Sequence, residues 1–91
     1  MSTATLIARH QVEDYSAWRA VYDSVEGVRQ QYGCEGAEVL VDPGDKNDVF
    51  VLHRFPTLEA AQAFAGSSEL REAMHSAGVT APPRIEIAVG A

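Results

Sequence analysis

The chain carries a single cysteine, Cys34, in 91 residues. A lone thiol closes no internal disulfide, so the fold must hold without one, which suits a reducing compartment and makes Cys34 a structural thiol. Basic residues are also scarce. Seven Lys and Arg stand against thirteen Asp and Glu, giving a net charge of -6 and a pI near 4.8. The seven form no run, and an acidic surface repels nucleic acid and anionic membranes alike, so neither is expected as a partner. Long apolar runs are missing. Leu6-Ile7-Ala8 is broken by Arg9 and His10, so neither a membrane span nor a signal peptide is expected, and a cytoplasmic location follows by default. Metal-ligand spacing is missing too. Asp42, Asp45, Asn47 and Asp48 do not follow the EF-hand pattern and lack its late glutamate, which leaves a solvated turn. No cysteine or carboxylate accompanies His10 or His53 at metal spacing, so no metal and no cofactor is expected.

What is present is enough apolar residue, 46%, for one domain over residues 1–91. At this length folding removes only roughly 60 to 65% of the chain's surface from water, so sharing a face with a second copy would add stability. The richest stretch runs from Asp14 to Gly33. Tyr15, Trp18, Tyr22, Val25 and Arg29 recur at i, i+3, i+7 spacing, which predicts one helix with an aromatic face. Asp14 suits its N-cap and Gly33 its C-terminal stop.

Around that helix the chain reads as strands and one further helical segment. Residues 4–12 predict a strand with Leu6, Ala8, His10 and Val12 on one face and Ile7, Arg9 and Gln11 on the other. A second strand over 36–42 sets Ala37, Val39 and Val41 against Glu38, Leu40 and Asp42. The turn-rich stretch Pro43 to Asn47 joins it in a hairpin to a third strand, Val49 to Phe55. That strand is apolar on both faces, as expected of a central one. Thr57 opens a helical segment through Leu58, Ala61 and Phe64, interrupted at Gly66 to Ser68. Capping by Ser67 restarts it through Leu70, Ala73, Met74 and Ala77 to Gly78. Pro82-Pro83 stiffen the approach to a last strand over 84–89, where Ile85, Ile87 and Val89 share a face. The order strand, helix, strand, strand, helix, strand predicts an α+β fold, the ferredoxin-like βαββαβ arrangement with a four-stranded antiparallel sheet.

Two helices cover only one face of such a sheet, yet Val49, Phe50, Val51 and Leu52 supply both. Two large side chains left in water would cost roughly 3 to 6 kcal/mol, a large share of the roughly 5 to 15 kcal/mol that holds a small domain together. A homodimer with two sheets packed face to face removes that cost through one self-complementary surface.

Asp14-Tyr15-Ser16-Ala17-Trp18 with Tyr22-Asp23, the strand-end histidines His10 and His53, and Glu69-Leu70-Arg71-Glu72-Ala73-Met74 followed by Ala77-Gly78-Val79 and Pro82-Pro83 resemble small members of the dimeric α/β barrel superfamily. The resemblance is to the antibiotic biosynthesis monooxygenases and polyketide cyclases, and it covers nearly the whole chain. It implies a homodimer, forming a dimeric α/β barrel, with a hydrophobic pocket between sheet and helices for aromatic or polyketide-type molecules. Oxidation in that group proceeds without metal, flavin or haem. Haem-degrading relatives use a helix histidine and a first-strand Asn; here His75 lies on the second helical segment but the first strand has no Asn, which argues against that activity.

The candidate site residues each have two readings. Tyr15, Trp18 and Tyr22 are core packing or the walls of a pocket, with the Tyr22 hydroxyl able to orient a phenolic or carbonyl group. His10 and His53 are hydrogen-bonded strand histidines or general bases. Antiparallel pairing sets them near opposite ends of neighbouring strands, too far apart to share a metal. Arg9 and Arg54 either reach water or an acid such as Glu38 or Glu86, or steady an anion in the pocket. Phe64, Met74 and His75 complete the expected ligand-binding set, Met74 through its adaptable side chain. The sequence thus predicts a cofactor-independent monooxygenase or cyclase-like protein acting on a small hydrophobic molecule. The alternative is a non-catalytic homodimeric module that binds a small ligand or a protein.

Overall fold

A computed structural model describes residues 3–80 and 83–91. Of the Pro82-Pro83 pair expected to stiffen the last strand's approach, Pro82 lies outside the described residues.

The chain forms β1 (Ala4–Gln11), α1 (Tyr15–Ser24), α2 (Glu26–Gln31), β2 (Gly36–Asp42), β3 (Asp45–Phe55), α3 (Leu58–Ala65), α4 (Ser68–Ser76) and β4 (Arg84–Val89). Every strand pairing is antiparallel and the sheet order is β2-β3-β1-β4. This is the ferredoxin-like α+β arrangement that the sequence predicts. Alternation along β1 decides which residues face the helices. Ala4, Leu6, Ala8 and His10 are buried, while Arg9 and Gln11 on the other side are exposed. Register carries this parity across the sheet: Leu6 lies opposite His53 and Ile87, and Ala8 opposite Val51 and Ile85. Both strand histidines therefore stand on the helix-covered face.

The helices start where the sequence places caps. Asp14 Oδ2 accepts from the Ala17 N–H at 3.0 Å, Thr57 Oγ1 from that of Ala60 at 3.1 Å, and Ser67 Oγ from that of Leu70 at 3.2 Å, each satisfying an amide that the first turn leaves free. Gly33 and Gly78 take φ of +88° and +76° after the second and fourth helices, a region that disfavours any side chain with a Cβ.

Two boundaries differ from the sequence-based expectation. The single helix expected from Asp14 to Gly33 is broken at Val25, whose φ of -103° and ψ of 17° end α1 and start α2. The third strand begins at Asp45 rather than Val49, and the expected loop through Asn47 shrinks to the turn Pro43-Gly44. Side chains and backbone of the added residues explain the extension. The Asn47 carbonyl accepts from the Val12 N–H at 2.9 Å and its Oδ1 accepts from the Tyr15 N–H at 2.9 Å, tying polar residues into the sheet and the start of α1. Cys34 is half-buried with its Sγ 3.3 Å from the Gly36 carbonyl. No helix among the described residues is long and apolar enough to cross a membrane.

Candidate functional site

A cavity lies between the covered sheet face and the helices. Leu6, Ala8, His10, Val51, His53 and Ile85 form its floor. Trp18, Val21 and Tyr22 of α1 and Val28 and Arg29 of α2 form one wall; Phe64 of α3 and Leu70, Ala73 and Met74 of α4 form the other. The cavity has about 60 Å³ of interior room and opens to solvent at its mouth.

Aromatic rings run along this cavity as a ladder. His10 meets Trp18 with ring centroids 5.6 Å apart, Trp18 stacks on Tyr22 at 4.8 Å, Tyr22 on His53 at 5.8 Å, and Phe64 meets His53 edge-on at 5.6 Å. Such spacings fall in the range where aromatic pairs attract beyond simple area burial.

The polar centre is made by Tyr22, Arg29 and His53. Tyr22 Oη and His53 Nε2 lie 2.8 Å apart. His53 is 3% exposed, and its Nδ1 has no partner among the described residues. Burial, and after it the Arg29 charge, push the His53 pKa from 6.5 down to about 4, so the ring is neutral near pH 7. A neutral imidazole carries one proton. With it on Nδ1, an N–H would be buried without an acceptor; with it on Nε2, only a lone pair is left unmatched, which is the less costly omission. His53 Nε2–H then donates to Tyr22 Oη, and the Tyr22 O–H is free to donate to something else. Burial raises the Tyr22 pKa, against a smaller opposing effect from Arg29, so the phenol keeps its proton.

Arg29 is 6% exposed. The break at Val25 turns α2 so that this side chain folds back over α1: its guanidinium carbon lies 3.8 Å from the centre of the Tyr22 ring, and Nη1 donates to the Tyr22 carbonyl at 2.8 Å. A cation is well placed at a helix C-terminus, whose last carbonyls are otherwise unmatched. No carboxylate oxygen comes within 4 Å of the guanidinium among the described residues. Glu69 is the acid in the cavity wall; it is exposed and accepts from the Tyr32 hydroxyl at 2.6 Å. At the other end His10 is 6% exposed, and neither of its ring nitrogens has a partner among the described residues. Burial lowers its pKa, partly countered by Asp48.

A family profile described as antibiotic biosynthesis monooxygenase matches residues 8–76. The chain belongs to the antibiotic biosynthesis monooxygenase family. Solved structures agree in fold. A Bordetella bronchiseptica protein provisionally assigned to this activity is 14% identical over 97% of this chain and 96% of its own, with a TM-score of 0.82. SnoaB, a cofactor-independent oxygenase of Streptomyces nogalater, is 11% identical over 100% and 93%, with a TM-score of 0.73. Rv0793 of Mycobacterium tuberculosis is 19% identical over 94% and 92%, with a TM-score of 0.71. No curated protein matches the chain in sequence.

Within this family fold, the expected site residues divide. Tyr22, His53, Trp18, Phe64, Met74 and His10 all line the cavity. Tyr15 and His75 do not: Tyr15 flanks Trp18 at 5.9 Å under the Lys46 ammonium, and His75 is exposed on α4. Arg9 and Arg54 stand on the opposite sheet face. Arg9 holds Asp48 through two contacts of 3.1 and 2.6 Å, and Arg54 lies across Gly36, so neither reaches the cavity. The physical reason is strand alternation, since neighbours along a strand point to opposite faces. The cation in the cavity is instead Arg29, which sequence reasoning placed on the aromatic helix face without assigning it a role at the site. Its signal was the seven-residue step from Tyr22 to an arginine on a face otherwise apolar.

Proposed function

We propose that this protein is a cofactor-independent monooxygenase that acts on a small aromatic or enolisable ring bound between sheet and helices. The observation that carries this reading is the Tyr22, His53 and Arg29 group inside an apolar, ring-lined cavity on a chain of the monooxygenase family. Trp18 supports a flat ring by stacking. The guanidinium of Arg29 and the free Tyr22 O–H are two donors beside each other, suited to an oxygen that becomes negative when the substrate loses a proton. His53, neutral, takes part by donating to the Tyr22 oxygen and so turning the Tyr22 O–H toward the ligand. In the net reaction a ring CH₂ and O₂ give a ring C=O and water, with both oxygens' electrons supplied by the substrate and no cofactor in the balance.

Oxygen uptake with a panel of enolisable ring ketones and hydroquinones tests this, with ¹⁸O₂ label followed into the product. Substrate-dependent uptake and one labelled oxygen per product are expected; uptake equal to that of buffer across the panel overturns the reading. A second reading, ligand binding without chemistry, is favoured by one observation. A histidine whose pKa is about 4 is a weak base for removing a proton from carbon.

The proposed assembly is a homodimer through the open sheet face. Ile7 and Leu40 there are 36% and 46% exposed, beside half-buried Phe50 and Leu52, and a second copy covers them without needing a second kind of surface.

A further inference from the structure

We infer that the cavity selects a single ring bearing a carboxylate, bound as the anion with Arg29 as its counter-ion. This rests on reading the cavity as a ligand site and names the class of molecule that fills it. The first observation is the charge. Arg29 is buried, its guanidinium meets one backbone carbonyl and one ring face, and no acid lies within 4 Å of it among the described residues. A guanidinium taken out of water is ordinarily paired, because an unmatched charge in an apolar setting is strongly disfavoured. A bound anion supplies the pair that the chain does not. The second observation is the adjacent donor. With His53 donating to it, the Tyr22 hydroxyl has a proton to give beside the guanidinium, and a carboxylate has two oxygens to receive the two donors.

Size and the far end of the cavity restrict the rest of the ligand. The interior room of about 60 Å³ is small and is lined by rings, which suits one ring with a small substituent at its inner end. Trp18 lies between the two polar ends, against Tyr22 on one side and His10 on the other, so a ring held at Arg29 stacks on it. Both His10 nitrogens are without partners among the described residues, so a substituent able to donate and accept, such as a hydroxyl, suits that end. A structural role for Arg29 as the cap of α1 is real and requires a test that separates it from recognition.

The probes are benzoate and its neutral isostere benzamide, titrated at pH 7.5 into the wild-type protein, with Trp18 emission and calorimetry as readouts. The expected result is benzoate binding about tenfold or more tighter than benzamide. Arg29→Met is expected to bring the two affinities within about threefold of each other, with benzoate losing far more than benzamide, and Arg29→Lys to restore part of the preference. A lost cap alone would weaken both ligands together. Should Arg29→Met fail to fold, Tyr22→Phe replaces it, with benzoate expected to weaken more than benzamide, so that the preference for benzoate falls. Equal binding of both probes to the wild type overturns the carboxylate assignment and leaves the cavity a ligand site. Binding of neither overturns both, and a preference that survives Arg29→Met or Tyr22→Phe removes those residues from recognition.

Discussion

Tyr22 Oη and His53 Nε2 are 2.8 Å apart although 31 residues separate them in the chain, one carried by α1 and the other by β3. The contact joins helix to sheet across the cavity and fixes the tautomer of a histidine that is otherwise surrounded by apolar side chains and rings. Tyr22→Phe keeps the ring that stacks on Trp18 and under Arg29 but leaves His53 Nε2 as unmatched as Nδ1. We expect a stability loss of about 1 to 3 kcal/mol, measured by urea unfolding. In the substrate panel, the same variant should lose turnover by about tenfold or more if Tyr22 donates to the reacting oxygen. A variant as stable and as active as the wild type would show that the contact does neither.

The depressed pKa of His53 makes stability depend on pH in a defined window. The unfolded chain binds a proton on this ring below about 6.5, while the folded chain refuses it until about pH 4. The folded state is therefore at full strength above about pH 6.5 and weakens as the pH falls toward 4, by up to about 3 kcal/mol from this group. His10 is shifted in the same direction and adds to the slope. Asp48 is held below its ordinary value by Arg9, so its titration falls at lower pH. Urea midpoints at pH 7.5, 6 and 4.5 should fall in that order, and His53→Gln should flatten the series. A wild-type series that is level from pH 7.5 to 4.5 would contradict a neutral buried His53.

His10 has no partner on either ring nitrogen among the described residues and sits against Trp18. An unmatched buried donor costs about 1 to 3 kcal/mol relative to an apolar group of similar shape. His10→Leu is accordingly expected to leave stability unchanged or to raise it by about 1 kcal/mol, in contrast to most core substitutions. The same variant should weaken ligands that carry a hydroxyl opposite their carboxylate and spare those that do not. A loss of 2 kcal/mol or more on thermal unfolding would mean that His10 is a packing residue with no price to its polarity.

The parts of this structure that the sequence discloses are those decided locally. The three caps, the two glycine stops and the alternation of β1 each depend on residues a few positions apart, and each is found where expected. The parts it conceals depend on distant partners. Val25-Glu26-Gly27 continues a helical pattern without a visible break, and the bend there is consolidated by Arg29 reaching back to the Tyr22 carbonyl. Asp45 to Asp48 read as a polar turn because the pairing of Asp48 with Gln11 of β1 and the ties of Asn47 to Val12 and Tyr15 reach back more than thirty residues. Of the two readings open for Arg9 and Arg54, strand parity favours the one outside the cavity. His53 and Arg54, or His10 and Arg9, are adjacent along a strand and so cannot enter one cavity together. Parity alone therefore moves both arginines to the open face once the histidines are placed with Leu6 and Ala8, and it leaves Arg29 as the cation available to the cavity.

The two sheet faces make opposite predictions for neighbouring residues. Val51 is buried on the covered face, whereas Leu52 beside it is half-buried on the open one. Val51→Asp places an unpaired carboxylate between sheet and helices, and we expect it to cost about 4 kcal/mol or more and to abolish the folded state. Leu52→Asp leaves that core intact and sets a charge on the face that the proposed dimer buries, so the expected product is a folded monomer. Circular dichroism should separate the variants by folding, and light scattering at micromolar concentration should give a dimer for the wild type and half its mass for Leu52→Asp. A wild-type protein that is monomeric and folded at that concentration removes the sheet-to-sheet dimer. The apolar side chains Ile7, Leu40, Phe50 and Leu52 would then be held in water, a condition that a domain of this size tolerates only if its core supplies the whole of its stability.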